Sequence, residues 1–486
     1  MILDNIIRED ECILRELPGD FEILSVTESL SECTKDSLLI LPNADKLPDF
    51  SKMVSPPAAI LCSPTSRTPE GIPTVRVENP RRATAFAYAR FYGIDFSHSV
   101  NIGVTGTNGK TSTATFIKHI LKDAGYKVGF IGTGKIEIDD KLISDEYYSM
   151  TTPDPHVLYK SIKKMHDEGC DAIVMEISSH ALALSKVEPI NFDYAIFTNL
   201  SPEHLDFHGN IESYYKTKLS LFKKCKTAIF NVDDHYARRA EKECTARKIS
   251  IGAVHNADVY AREIVSDGFQ GVEYLYHGKN FVYKARLRIP GIYNVYNSML
   301  AATLAIDMGI KPCEVKKSLY KIKSIDGRFE IIKDEITVII DYAHTDTALS
   351  SLLKSIRSAK SPHQKLTVVF GCGGNRDKSK RPRMAEAAEA FADKIIVCSD
   401  NSRAEDPMEI IADVIKGFKK RSFTVIENRE AAIKEAILSS SDDGIVAIVG
   451  KGAEKYNIDK DGYHRFDEKS IIRKALSERK RGGESL

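Results

Sequence analysis

Along this chain, short apolar runs bounded by turn residues alternate with longer stretches in which apolar residues recur at helical spacing. In the first hundred residues, DSLLILPNADK, PPAAILCSP and GIPTVRVENPRRATAFAYARFYG read as a small α/β unit. Its last helix ends near Tyr92, before the polar connector GIDFSHS. VNIGVTG then reads as a strand, and the helix after it puts Phe116, Ile117, Ile120, Leu121 and Ala124 on one face. Buried strands follow at DAIVMEI, YAIFTNL and TAIFNV, and a helix runs through NVYNSMLAATLAIDMG. After SIDGRFE, a further α/β unit carries the strands ITVIIDY, KLTVVFG, DKIIVCS and GIVAIVG. Strand–helix alternation of this kind argues for doubly wound, parallel sheets. The expected architecture is α/β in three domains: a small N-terminal α/β domain over residues 1–97, a central doubly wound sheet over 98–327, and a C-terminal Rossmann-like domain over 328–486.

Composition narrows the classes. With 486 residues, 42% of them hydrophobic, the chain exceeds what one core usually holds. A formal net charge of +1 gives no overall bias toward nucleic acid or acidic membranes, and basic stripes with interleaved aromatics are absent. The nine cysteines are scattered singly without a CxxC pair, which suggests reduced thiols rather than a disulfide framework or a zinc site. The opening residues carry acids within their first apolar turns, so no signal peptide is expected. No apolar run reaches the roughly 18 to 20 residues needed to cross a bilayer. A soluble, cytoplasmic monomer with no nucleic-acid partner and no membrane insertion is the expectation.

Candidate chemistry begins at TGTNGKT, where Gly106, Gly109, Lys110 and Thr111 lie between a strand and a helix. Such a loop can curl backbone N–H groups around phosphate at a helix N-terminus, with the lysine on the terminal phosphates and the threonine on Mg²⁺. It is not the common form of that motif, because Val104 stands where the first glycine should be. DAIVMEISSH runs an apolar strand into Glu176, and TNLSPEHLDFHG brings His204 to the same sheet edge, which makes a plausible metal pair. Lys218 of YYKTKLSLF reads by pattern alone as an exposed helix lysine.

The ordered set GVTGTNGKTS, TTPDP, MEISSHAL, TNLSPEHLDFHG, YYKTKLSLF, YNVYNSMLAA, GRFE, DYAHT, FGCGGNRDKSKRP and DNSRAEDP resembles the Mur ligases, most closely the MurE type, from about residue 75 onward. That branch adds the third residue of the peptidoglycan stem peptide, and TGTNGKT is the family's own phosphate loop. The resemblance implies an ATP-dependent amide ligase with a central P-loop ATPase sheet, working through an acyl phosphate. It assigns Gly106, Thr107, Asn108, Gly109, Lys110, Thr111 and Ser112 to ATP, with Asn294 and Asn297 beside adenine and Arg328 and Asp341 reaching in from the C-terminal domain. Thr111, Glu176 and His204 would hold Mg²⁺. Lys218 matches a lysine that is carbamylated to N6-carboxylysine in relatives and then binds a second Mg²⁺. Thr151, Thr152, Ser178 and Lys186 fall in the muramoyl-peptide pocket. Arg376, Asp400, Asn401, Arg403, Gly450 and Glu454 fall in the amino-acid pocket, where the family's Asp-Asn-Pro-Arg, whose arginine is kept here as Arg403, marks addition of meso-diaminopimelate to UDP-N-acetylmuramoyl-L-Ala-D-Glu.

The chain departs from the family pattern at several positions. Lys186 replaces an arginine, Asp346 and Ser402 replace prolines, and Ala453 replaces a histidine. ESLSECTKDSLLIL lacks the Arg and Pro-Gly of the segment that binds the uridine diphosphate end. The alternative is therefore a paralogue that ligates another amino acid, such as L-lysine, or uses another carboxylate donor.

Overall fold

The computed structural model describes residues 1–8, 12–16, 22–43, 48–143, 150–420 and 422–483. Three large sheets follow one another along the chain. The first has five strands in the order Cys12–Glu16, Thr74–Val77, Ala59–Cys62, Ser37–Ile40, Ser25–Thr27, parallel except for the first. The helix Pro80–Phe91, capped by the Asn79 side chain and started by proline, covers it and ends at Tyr92 as expected.

The central sheet has eleven strands, and Val100–Thr105 sits in its middle between Ala172–Glu176 and Phe192–Phe197. These three are parallel, as are the next strands outward, Val128–Gly132 on one side and Cys225–Asn231, Arg247–Gly252 and Val259–Ser266 on the other. The expected parallel sheet is thus present, but antiparallel strands extend both its edges. Val272–His277 and Val282–Leu287 continue one edge, and Lys135–Ile138 and Lys141–Leu142 the other. Val272–His277 alternates buried and half-buried positions along its length. That period of two is the mark of an antiparallel strand with one covered face, rather than the continuous apolar run of a parallel one. Of the helix face read from sequence, Phe116, Ile117, Ile120 and Leu121 are buried against the helix Tyr293–Asp307 and the sheet. Ala124 is exposed instead, because it caps the last turn just before Gly125 reverses the chain at φ +94°.

The third sheet runs Glu330–Lys333, Thr337–Asp341, Ile445–Val449, Leu366–Phe370, Lys394–Val397, Thr424–Val425, with only the first antiparallel. A short hairpin, Tyr456–Asp459 with Gly462–Arg465, follows it. No helix among the described residues is long and apolar enough to cross a membrane.

The phosphate loop shows why Val104 need not be glycine. Val104 is wholly buried inside the strand, level with Glu176 on one side and Ile196 on the other, and the chain turns only at Gly106. Gly106 has φ +148°, and a Cβ there would collide with the Thr198 hydroxyl. Gly109, at φ +85°, caps the helix Lys110–Asp123, and a Cβ there would lie 2.5 Å from Asn297 Oδ1. Gly106→Ala forces an L residue into a region open essentially to glycine, a strain of about 1–3 kcal/mol before the collision is counted. A lowered thermal midpoint and loss of nucleotide binding are expected, measured by calorimetry with and without ATP. An unchanged midpoint would mean that the loop relaxes around the methyl group.

Candidate active site

The carboxyl ends of the central and third sheets open on one cavity of about 720 Å³. This is where doubly wound sheets place ligands, because strands and their following helices diverge there. The loop at its floor is anchored from the neighbouring strand. Asn108 N donates to Asn199 Oδ1 at 3.0 Å, the Thr198 hydroxyl and Asn199 Nδ2 donate to Asn108 O at 2.6 and 2.9 Å, and Thr107 N donates to Asn199 O at 2.8 Å. Lys110 folds back over the loop, its ammonium donating to Gly106 O at 2.9 Å and Thr107 O at 2.8 Å.

Lys218 is not an exposed helix lysine. It is 1% exposed, and its Nζ donates to the same Gly106 carbonyl at 2.9 Å while lying over the Tyr214 ring. Burial, and then the charge of Lys110, push this amine well below the usual lysine range.

Glu176 is fully buried at the end of its strand. Its Oε2 accepts from the Thr111 hydroxyl at 2.9 Å, and its Oε1 from Thr133 N at 3.0 Å. Gly132 keeps the approach open, since a Cβ there would strike Glu176 Oε1. His204 occupies the left-handed region at φ +56° at the head of the short helix Leu205–His208, with its ring 4.9 Å from that of His180. Burial pushes its imidazole down to about 3, which leaves a neutral ring with a free lone pair. Among the described residues no three His, Cys, Asp or Glu side chains form a ready cage. One threonine, one carboxylate and one neutral histidine beside a phosphate loop do fit Mg²⁺, which usually takes one or two carboxylates plus substrate phosphates.

The third unit closes over this floor. Arg328 Nη2 donates to Thr111 Oγ1 at 3.0 Å. Asp341 Oδ2 accepts from Phe329 N at 2.7 Å and its Oδ1 from Ala343 N at 2.8 Å, so the carboxylate holds the turn that carries Arg328. Two residues that the sequence reading passed over make the firmest bridge. His344 Nε2 lies 2.6 Å from Glu203 Oε1, and Glu203 is 6% exposed. Desolvation opposes ionisation of Glu203, yet His344, hydrogen-bonded to it, keeps its carboxyl well below the usual range. Both were inside quoted motifs, SPEHLDFHG and DYAHT, and an acid beside a candidate metal histidine was the available signal.

At the far end, Asn401 Oδ1 accepts from Lys451 Nζ at 2.7 Å and Ile458 N at 3.0 Å, which leaves its Nδ2 to donate to Glu454 Oε2 at 3.1 Å. Burial and then Asp400 push the Glu454 carboxyl up, whereas Lys451 and Arg429 hold Asp400 itself low despite its burial. Arg403 has φ +53°, and its Nη1 donates to Gly374 O at 2.9 Å and Asn401 O at 3.2 Å. Among the described residues, its Nε and Nη2 make no further bond. Gly450 sits against Asp400, and Arg376 faces the same cavity from an exposed turn. On the opposite wall, the Thr152 hydroxyl donates to Glu176 O at 2.8 Å and receives Ser178 N, while Lys186 pairs with Asp154 at 2.7 Å. Glu28 reaches this neighbourhood from the N-terminal unit, its carboxyl raised to about 7 by burial and by Asp154.

The cavity wall thus brings together Thr107, Asn108, Gly109, Lys110, Thr111, Ser112, Thr151, Thr152, Glu176, Ser178, Lys186, His204, Asn297, Arg328 and Asp341. It also includes every residue assigned to the amino-acid pocket. Gly106 and Lys218 lie behind the loop. Asn294 lies one turn from Asn297, its Nδ2 donating to Pro290 O at 2.7 Å and its Oδ1 accepting from Asn297 Nδ2 at 3.2 Å.

Comparison with known proteins gives this arrangement its family. The Mur ligase middle domain matches residues 104–305, and the Mur ligase glutamate ligase domain matches residues 327–452. A UDP-N-acetylmuramoyl-L-alanyl-D-glutamate–2,6-diaminopimelate ligase of Clostridium acetobutylicum is 39% identical over 86% of either chain. The enzyme of the same name from Bacillus velezensis is 34% identical over 94% of this chain and 95% of its own, so the likeness reaches in front of residue 75. A solved structure of such a ligase superposes with a TM-score of 0.64 at 26% identity, over 94% of this chain and 95% of that one. A folylpolyglutamate synthase of Mycobacterium tuberculosis shares the fold at a TM-score of 0.64 and 18% identity, over 76% of this chain and 92% of its own. The chain therefore belongs to the Mur ligases and is an ATP-dependent ligase of peptidoglycan precursor synthesis.

Proposed function

We propose that the protein joins meso-diaminopimelate to the D-glutamyl carboxylate of UDP-N-acetylmuramoyl-L-Ala-D-Glu. In this reading residues 1–97 hold the UDP-substrate, 98–327 hold ATP, and 328–486 hold the amino acid. The carrying observation is that Arg403 and Glu454 line the same cavity as Lys110. Diaminopimelate differs from lysine by a carboxylate on its distal carbon. Arg403 supports that reading because its Nη1 is engaged, while Nε and Nη2 remain as a two-pronged edge for a carboxylate. Glu454 receives the distal ammonium, and Arg376 holds the reacting end. The curated relatives that carry diaminopimelate in their names support the same acceptor.

In the first step a donor carboxylate oxygen attacks the γ-phosphorus of ATP, the bond to the β–γ bridging oxygen breaks, and ADP leaves. The acceptor amine then attacks the acyl carbon, phosphate departs, and the amine loses a proton to give the amide. Lys110 and Arg328 face the charge that builds on the transferring phosphoryl group. Mg²⁺ held near Thr111, Glu176 and His204 would neutralise phosphate charge. Lys218 serves as a carbamate. Its burial and the adjacent Lys110 favour the uncharged amine, which is the form that adds to CO₂. The resulting anion attracts the Lys110 ammonium, which shares the Gly106 carbonyl with it.

Lys218→Ala is expected to lose activity that bicarbonate cannot restore and that a small added carboxylic acid partly rescues. The unaltered enzyme should weaken on depletion of CO₂. Full activity of Lys218→Ala, measured as ADP release, would remove the carbamate from the mechanism. For the acceptor, kcat/KM should favour meso-diaminopimelate over L-lysine by roughly 10- to 150-fold, the worth of one charged hydrogen bond. Arg403→Ala should collapse that ratio by raising KM for diaminopimelate far more than KM for ATP. Use of L-lysine at least as efficiently as diaminopimelate would overturn the assignment.

A further inference from the structure

Tyr342 touches both ends of the cavity. The Arg328 guanidinium lies over its ring, 4.2 Å from the centroid, and its hydroxyl donates to Glu454 Oε1 at 3.2 Å. Arg328 belongs to the phosphate end, where it donates to Thr111. Glu454 belongs to the acceptor end, where its other oxygen accepts from Asn401. The segments bearing these two residues pass against Tyr342 without slack. A Cβ on Gly452 would lie 2.9 Å from Tyr342 Cβ, and one on Gly327 would collide with the Ala453 amide.

Asn401 cannot turn, because the wholly buried Lys451 and the Ile458 amide both hold its oxygen. Glu454 Oε2 is therefore fixed from one side. The Tyr456 side chain adds a further hydrogen bond to this carboxylate from its own strand. The Tyr342 hydroxyl supplies the hold on Oε1 that comes from the phosphate end of the site.

We propose that Tyr342 is a positioning residue for the acceptor. Its hydroxyl aims Glu454 at the incoming ammonium, and its ring, shared with Arg328, ties that aim to the phosphate end of the site. This rests on reading the Arg403–Glu454 end as the amino-acid pocket. The two parts of the side chain have separable effects, which a merely structural tyrosine would not.

Steady-state kinetics on the full-length enzyme test this with meso-diaminopimelate, ATP and the UDP-muramoyl-dipeptide. Tyr342→Phe keeps the ring and is expected to raise KM for diaminopimelate about 10-fold, the loss of one hydrogen bond to a charged group, with KM for ATP and kcat changed less than about twofold. Tyr342→Leu removes the ring as well and should raise KM for ATP too. Glu454→Gln serves as the reference variant and should raise KM for diaminopimelate. If Glu454→Gln leaves that KM unchanged, the pocket assignment fails and this inference falls with it. If Glu454→Gln raises it but Tyr342→Phe does not, or if Tyr342→Phe raises both KM values equally, the pocket stands and the positioning role is overturned.

Discussion

The Gly106 carbonyl accepts from two lysines, Lys218 buried behind the loop and Lys110 on the cavity wall, and much of the site is arranged around that shared acceptor. Lys110 comes from the helix that the loop opens, and Lys218 from the distant helix Ile211–Leu219. Burial and the charge of Lys110 disfavour an ammonium on the enclosed Lys218, while Lys110 itself lines the cavity. The nearby carboxylates Glu203 and Glu176 offset part of the cost for Lys110. An anion at the loop would complete the charge balance of Lys110, in keeping with the ATP dependence of the family.

The second constraint is that no single sheet holds a complete site. The central sheet supplies the TGTNGKT loop and Glu176, while the third sheet supplies Arg328, Asp341 and the pocket around Arg403. Arg328 on Thr111 and His344 on Glu203 hold the two edges together. Arg328 bears on the Thr111 hydroxyl, in the first turn of the helix that the loop opens. Closure and electrostatic readiness come from the same side chains.

The layered α/β plan was legible because buried parallel strands leave continuous apolar runs, such as AIVME and IVAIV. The sheet's antiparallel edges were not, because strands such as VEYLYH cover only one face and alternate in place of a continuous apolar run. In the site, glycines and charged residues at strand ends could be picked out one by one. Burial could not. Lys218 has the sequence surroundings of a solvated helix lysine, and only the tertiary fold makes it nearly inaccessible. The Glu203–His344 pair joins residues 141 positions apart, a relation that no local pattern carries. Asn294 shows the converse, a motif residue that holds its neighbour's amide rather than facing the cavity.

The departures from the family pattern fall where local structure can absorb them. Asp346 opens the helix Asp346–Ala359 in place of a proline. Thr345 caps that helix, and an acid in the first turn interacts favourably with the N-terminal dipole, so the start is retained by another means. Ala453 stands where its backbone nitrogen packs against Gly327, a contact that depends on the missing side chain at 327 rather than on the identity of residue 453. Ser402 lies buried between Asn401 and Arg403, and both neighbours are fixed by hydrogen bonds with Ile458. The strand Tyr456–Asp459 thus takes over the bracing that a proline ring would give this turn. Arg403 keeps its left-handed backbone and its aim because the restraint has moved from the chain's own torsion to a neighbouring strand.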